Sequence, residues 1–435
     1  MKWGLLTIFL LLPGLTIGGD AVNLRLDDAL LVPDLWSLSQ DDFRQHTAHY
    51  GFRWESKAHD TARSVLKGLT FMDEPVIETL VRFESNTISE VTLSLYNRGD
   101  AGDIDESAFE QRMETMDSKF KTFTGADGKD VSPRGASSPA RKDRTLLWFK
   151  DQQVFLLEYA FTRTHGKPGK GSVQPEFISV TIKKREKSSM SDVASDVKAD
   201  VTSTTLQKRV KKNENGDVLL DSVPMVDQGQ KGYCAVASVE RVMRYYGSDV
   251  NQHELAQRAD TASKGGTDSV SLTKALKAMG VFLGVKIKVQ EDLNDFMKIV
   301  ADYNRQAKKE KTSEIVLPKS GTIYVSDVYA SMAKAVFLAS REKNTAAVAR
   351  FAELVKEKID AGYPVLHGVI LGFVDEKPPL RQQRCSGHMR LIIGYNTGTS
   401  EILYSDSWGA GHELKRMSAK DAYAITTCMI EIEPR

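Results

Sequence analysis

From residue 77 to residue 95 apolar side chains recur with a period of two. Ile77, Val81 and Phe83, with Thr79 in phase, precede Val91, Leu93 and Leu95. Successive strand side chains point to opposite faces, so this alternation predicts two half-buried strands. The period then changes. Phe109, Met113, Met116, Phe120 and Phe123 recur at helical spacing, with Asp103 or Asp105 before them to cap the first turn and Gly125 after them to end it. Ser39 to His49 reads as a shorter helix opened by Ser39 or Asp41. Leu146 to Phe149 and Val154 to Phe161 flank the polar turn Lys150-Asp151-Gln152-Gln153, which predicts a hairpin, and Ile178, Val180 and Ile182 make a last strand. Residues 20–185 are therefore expected to form an α+β domain, an antiparallel sheet with helices on one face.

Residues 186–216 are rich in Lys, Ser, Asp, Thr and Val without a period, which predicts a linker. Its basic run Lys208-Arg209-Val210-Lys211-Lys212, like Lys183-Lys184-Arg185, reads as solvated chain. An exposed run of this kind invites proteolysis, so cleavage there is one expected way of freeing the domain downstream. Whether residues 20–185 act as a propeptide or as a binding domain stays open at this level. His46, His49, His59 and His165 lack metal-ligand spacing and read as surface or capping residues.

Past residue 217, Val236, Val239, Met243 and Tyr246 share one helical face that ends at Gly247, which puts Cys234 on the first turn of a buried helix. Unpaired amides and the helix dipole favour a thiolate there. Gly229 and Gly232 let the preceding backbone turn sharply. Gln228, one loop upstream, is placed to fold its amide beside the sulfur and share an oxyanion with the Cys234 backbone N–H.

Composition narrows the class. A chain of 435 residues suits two domains, and 59 basic against 58 acidic side chains give no electrostatic footprint for nucleic acid. Met1, Lys2, the apolar run Trp3 to Leu12 and the small residues Gly18, Gly19 and Ala21 read as a signal peptide over residues 1–19. The run is short of the roughly 20 apolar residues a membrane anchor needs. A secreted or periplasmic protein without stable membrane insertion is expected. Its three cysteines, Cys234, Cys385 and Cys428, are too few for a disulfide scaffold, and the odd count leaves at least one thiol over.

The stretch Gln228-Gly229-Gln230-Lys231-Gly232-Tyr233-Cys234-Ala235-Val236-Ala237-Ser238 resembles the active-site segment of papain-like cysteine peptidases. It lacks the tryptophan that usually follows the cysteine, a departure shared with the related bacteriocin-processing peptidases. Asn251-Gln252-His253-Glu254-Leu255 resembles the family's next helix start, and Gly265-Gly266 its glycine pair along the substrate cleft. Farther on, Gly387-His388 to Gly394-Tyr395 is similar to the family's histidine strand. Asp406-Ser407-Trp408-Gly409 is similar to its Asn-Ser-Trp-Gly, with an acid in place of the amide.

The resemblance implies that residues 217–435 are a papain-like two-lobed α+β domain, a helical lobe plus an antiparallel β lobe. Cys234 would be nucleophile, His388 base, Asp406 its orienting acid and Gln228 the oxyanion donor. Gly265, Gly266 and Trp408 would line the site of a peptide or protein substrate, and no metal or organic cofactor is implied. The same triad serves acyltransferases of transglutaminase type, and a peptide-binding module without turnover is a further reading. His367 lies in an apolar run and reads as a strand residue. His412, in a Gly-rich loop, is not expected to be the base. Asp292 to Lys311 and Asp327 to Lys358 read as surface helices. Cys385 and Cys428 both fall in the antiparallel lobe, either as a disulfide or as two buried thiols.

Overall fold

A computed structural model describes residues 24–132, 141–164, 172–185, 203–229, 232–248, 250, 255, 273–274, 276–277, 280, 283–290, 295–318, 323, 325–377 and 385–435. It is a mixed α+β structure with several sheets. The segments 1–19, Asn251 to Glu254, Gly265-Gly266 and His165 lie outside the described residues.

The N-terminal region is built on an eight-stranded sheet. Its order is Arg53–Trp54, Thr61–Ser64, Glu78–Glu84, Thr87–Asn97, Ser172–Lys184, Gln153–Thr164, Arg141–Lys150, Lys129–Asp130. The ladders are antiparallel. Alternation sorts the side chains. Phe155, Leu157 and Trp148 join the main core, whereas Leu147, Val154 and Leu156 make a small apolar cluster of their own. The helix Glu106–Thr124 buries Phe109, Met116 and Phe120, and Phe120 stacks on Trp148 with ring centres 4.9 Å apart. Asp105 caps it by accepting the Ala108 N–H at 2.7 Å, and Gly125 ends it at φ +74°, a left-handed conformation only glycine adopts cheaply. The helix opened by Ser39 is shorter than its pattern suggests. It spans Gln40–His46 behind a capping box of Ser39 and Asp42.

The downstream region has its own core and its own sheet. The order is Val210–Lys212, Asp217–Leu220, Gly387–Asn396, Val365–Ile370, Thr426–Pro434, Val285–Val289, with Glu401–Ser405 and Lys415–Ser418 continuing from the Gly387–Asn396 strand. This corrects the linker expected over residues 186–216, of which 203–216 are described. Ser203–Gln207 is helical, and Val210–Lys212 forms a hairpin with Asp217–Leu220. The cause is local and was missed. Asn213 Oδ1 accepts the Asn215 and Asp217 amides, Gly216 takes φ +81°, and Leu206 and Leu220 are buried. The basic run is thus partly strand, with Lys211 and Lys212 as an exposed charged edge. Asp217 to Leu219 then pair with Asn396 to Gly394.

The two charged stretches expected to be surface helices carry substantial packed faces. Phe296–Lys309 buries Ile299, Val300 and Tyr303. The stretch from Asp327 to Lys358 lies in three helices, Val325–Ser331, Lys334–Glu342 and Thr345–Asp360, the last capped by Asn344 and burying Phe351 and Val355. No described helix is long and apolar enough to cross a membrane. All three cysteines are free thiols. The alternative of a Cys385–Cys428 bridge is therefore not realised. Cys428 sits on the Thr426–Pro434 strand, where its Sγ occupies the space a side chain at Gly368 would need.

The two regions meet at Glu55, which accepts the Asp227 N–H at 3.1 Å. Burial pushes the Glu55 carboxyl up to about 8, aided by Asp227 and Glu240 and opposed by Arg63 and Arg244. The unfolded chain therefore releases, from about pH 4.5 upward, a proton the folded chain keeps until about pH 8. The resulting cost to stability is absent below pH 4.5 and complete above pH 8. Glu55→Gln is expected to raise the thermal midpoint at pH 8 by several degrees and at pH 5 by much less. A gain independent of pH in calorimetry would refute this account.

Candidate active site

Cys234 is the first residue of the helix Cys234–Tyr245, whose Ala235, Val236, Val239, Val242 and Met243 are all buried. Ser238, Glu240 and Arg241 are buried as well, so the helix is enclosed on nearly every side, and it runs against the Gly387–Asn396 strand that carries His388. Arg241, itself buried, bolts it in place. Its Nε donates to the Pro224 carbonyl at 2.7 Å and its Nη2 to Ser405 Oγ at 2.6 Å.

The strand places His388 beside the sulfur. His388 Nε2 lies 2.8 Å from Asp406 Oδ1, while the imidazole also hydrogen-bonds the Cys234 thiol. With Nε2 on the carboxylate, Nδ1 is the nitrogen turned to sulfur. Burial raises the Cys234 thiol, but the His388 imidazole and the Met389 and Ala235 N–H groups outweigh it and bring it below its usual value. For His388 burial disfavours the imidazolium, yet contact with Asp406 and Cys234 raises it above the ordinary histidine range. Trp408 stacks on the imidazole, 4.3 Å between centres and 20° between planes, and closes that face to water.

Asp406 is completely buried and ringed by cations. Lys415 Nζ is 2.9 Å from Oδ2 and Arg390 Nε is 3.1 Å from Oδ1. Burial alone would raise this carboxyl, but Arg390, His388 and Lys415 hold it well below the usual carboxylate range. A second carboxylate balances the charge. Glu376 accepts from Arg390 Nη2 at 2.9 Å and from Tyr404 Oη, and Lys415 Nζ is 3.3 Å away. Gln228 is buried and pinned from the other side. Its backbone N–H donates to the Ser407 carbonyl at 2.9 Å, and its Oε1 accepts from Ser407 Oγ at 2.8 Å, which turns the amide nitrogen away from Ser407.

The structure thus gathers Cys234, His388, Asp406, Gln228 and Trp408 at one place, whereas Gly265 and Gly266 lie outside the described residues. His367 is a buried strand residue, its Nε2 2.9 Å from Thr426 Oγ1, and burial with Arg390 nearby pushes it down to about 3, so it stays neutral. His412 meets Trp408 edge-on at 5.4 Å and accepts the Asp406 N–H on its backbone carbonyl. Among the described residues no group of three or more His, Cys, Asp or Glu side chains is arranged to hold a metal ion.

Arg390, Lys415 and Glu376 were missed in the sequence, and Ser407 figured there only as a member of the motif that begins at Asp406. Arg390 did leave a trace, as a lone charge inside the apolar run from Met389 to Ile393. Lys415 and Glu376 left none, because ordinary surface charges look the same. No curated protein matches the chain. The profile of the Peptidase_C39 like family matches residues 220–292, a span that holds Gln228 and Cys234 and ends before His388 and Asp406.

Proposed function

We propose that the chain is an exported cysteine peptidase that cleaves peptide bonds through Cys234, His388 and Asp406, on a papain-like two-lobed domain. The observation that carries this reading is the single chain of contacts from Cys234 through His388 to Asp406. His388 Nδ1 takes the thiol proton and the thiolate attacks the substrate carbonyl carbon. The Gln228 amide and the Cys234 backbone N–H hold the oxyanion. The C–N bond breaks as His388 returns the proton to the leaving amine. Water then attacks the thioester, gives His388 a proton, and the C–S bond breaks to release the acid and restore the thiol. The match at residues 220–292 supports a peptidase-like activity. The apolar N-terminal segment supports export, and Trp408 would line the site of a peptide or protein substrate.

The test is selective alkylation followed by turnover. Burial raises both other thiols, Cys428 up to about 11. At pH 6 to 7 iodoacetamide is therefore expected to modify Cys234 at least about tenfold faster than either, and the modified protein to lose hydrolysis of unfolded protein substrates. Products carrying an added amine in place of water would redirect the reading to acyl transfer. Equal labelling of the three cysteines would remove it.

A further inference from the structure

Among the described residues, contacts from the N-terminal region reach the loop before Cys234 and the loop after Trp408. Glu55 Oε1 accepts the Asp227 N–H at 3.1 Å, and the Lys57 N–H donates to Glu413 Oε1 at 2.9 Å in the loop after Trp408. Arg63, paired with Glu78, reaches within 3.8 Å of Asp227 Oδ2. Its guanidinium also covers Gly229, where a Cβ would meet Nη2 at 2.9 Å, and Gly229 holds φ +66°. Asp227 Oδ1 accepts the Gly229 N–H at 2.8 Å, closing a turn with Gln228 at its centre. The Asp227 carboxylate also packs on Gly409, where a Cβ would lie 2.8 Å from Oδ2. Tyr233, next to Cys234, is buried with Glu78, Asp100 and Arg98 as charged neighbours.

We propose that the N-terminal region is a built-in part of the active site, in which Glu55 and Arg63 fix the Asp227–Gly229 turn and so aim the Gln228 amide at the oxyanion. The inference rests on the peptidase reading of Gln228. Arg63 touches no reacting atom and is a positioning residue. The physical case is burial. Arg63, Glu78 and Glu55 are 8%, 2% and 3% exposed. All three belong to the N-terminal region, and what joins them to the downstream chain is the Asp227 N–H on Glu55 and the Asp227 carboxylate beside Arg63. A cover that leaves on activation would have to break these contacts and leave buried polar groups without them, which is costly. A fixed clamp keeps them, and what it holds is a glycine turn whose backbone has little stiffness of its own. Parting the two regions should then lower activity, the reverse of release from an inhibitory segment.

Two small probes test this in the full chain without knowledge of the natural substrate. Iodoacetamide reports the Cys234 thiolate alone, whereas p-nitrophenyl acetate must also form an oxyanion. Arg63→Ala is expected to lower acetate-ester hydrolysis about ten- to hundredfold, in kcat with KM little changed. Alkylation should stay within about threefold, because the thiolate is set by His388. Arg63→Lys keeps a charge beside Glu78 but not the guanidinium over Gly229, and is expected to fall between Arg63→Ala and the unmodified chain. Should Arg63→Ala fail to fold, Arg63→Lys decides, and unchanged ester hydrolysis in it overturns the clamp. A rise in both rates overturns it in favour of a cover. Ester hydrolysis no faster than in Cys234→Ala overturns the peptidase reading and the clamp with it, an outcome visible before any Arg63 variant is made.

Discussion

Cys234→Ala and His388→Ala are each expected to lower hydrolysis of unfolded protein substrates on the order of 10^4-fold or more, and the double variant little further. Nucleophile and base act as one unit, so removing either removes the whole step. The geometry makes the dependence mutual. The thiolate is held by the imidazole, and the imidazole is held in its charged form by the sulfur on one side and Asp406 on the other. His388→Ala should also move Cys234 alkylation to higher pH, since the largest influence opposing its burial is then gone. Initial rates with the four proteins and a pH profile of alkylation check both statements. Full turnover by Cys234→Ala would end the mechanism.

The elements that sequence exposed were those whose periodicity is set by a single face. Val81, Phe83, Val91 and Leu93 are buried in phase with the alternation at 77–95, although Glu78, Glu90 and Tyr96 on the opposite face are buried too, and the helical repeat turns Phe109, Met116 and Phe120 inward. The Cys234 helix was readable for the same reason, although its packing proved nearly all-round. The hairpin at 210–220 was not, because its signal is a side-chain-locked turn around Asn213 flanked by lysines, and lysines on an edge strand look like linker. At the site, Cys234, His388, Asp406 and Gln228 were named from local motifs. Arg390 and Ser407, which help to hold them, are near neighbours of His388 and Asp406, but other supports come from elsewhere in the chain. Glu376 reaches Arg390 and Lys415 across the sheet, and Glu55 and Arg63 approach from the other region altogether. Such pairings are products of topology, and nothing adjacent in sequence marks them.

The same buried network changes what Asp406→Asn should do. An amide serves at this position in papain-like enzymes, which suggests a mild effect, but here the carboxylate has a second duty. Arg390 and Lys415 carry two positive charges into a fully buried place, and Asp406 and Glu376 balance them. With asparagine, two cations share one carboxylate. Stripping one partner from a buried charge cluster costs about 3–5 kcal/mol, which for a region of this size lowers its thermal midpoint by roughly 10 °C. The folded carboxyl is held below its ordinary value, so Asp406 stabilises the protein above about pH 4, and that contribution fades as pH falls further. The deficit of Asp406→Asn is accordingly expected to be complete from pH 5 to 8 and to narrow below pH 4. Adding Lys415→Met removes the surplus charge, and the double variant should recover a large part of the lost stability, a non-additivity that independent sites do not show. Activity should not return with it, because the imidazolium still lacks its carboxylate. Thermal midpoints of the three variants across pH, with turnover measured well below the lowest midpoint, separate the two duties. Additive losses in the double variant would show that charge balance is not what Asp406 contributes to the fold.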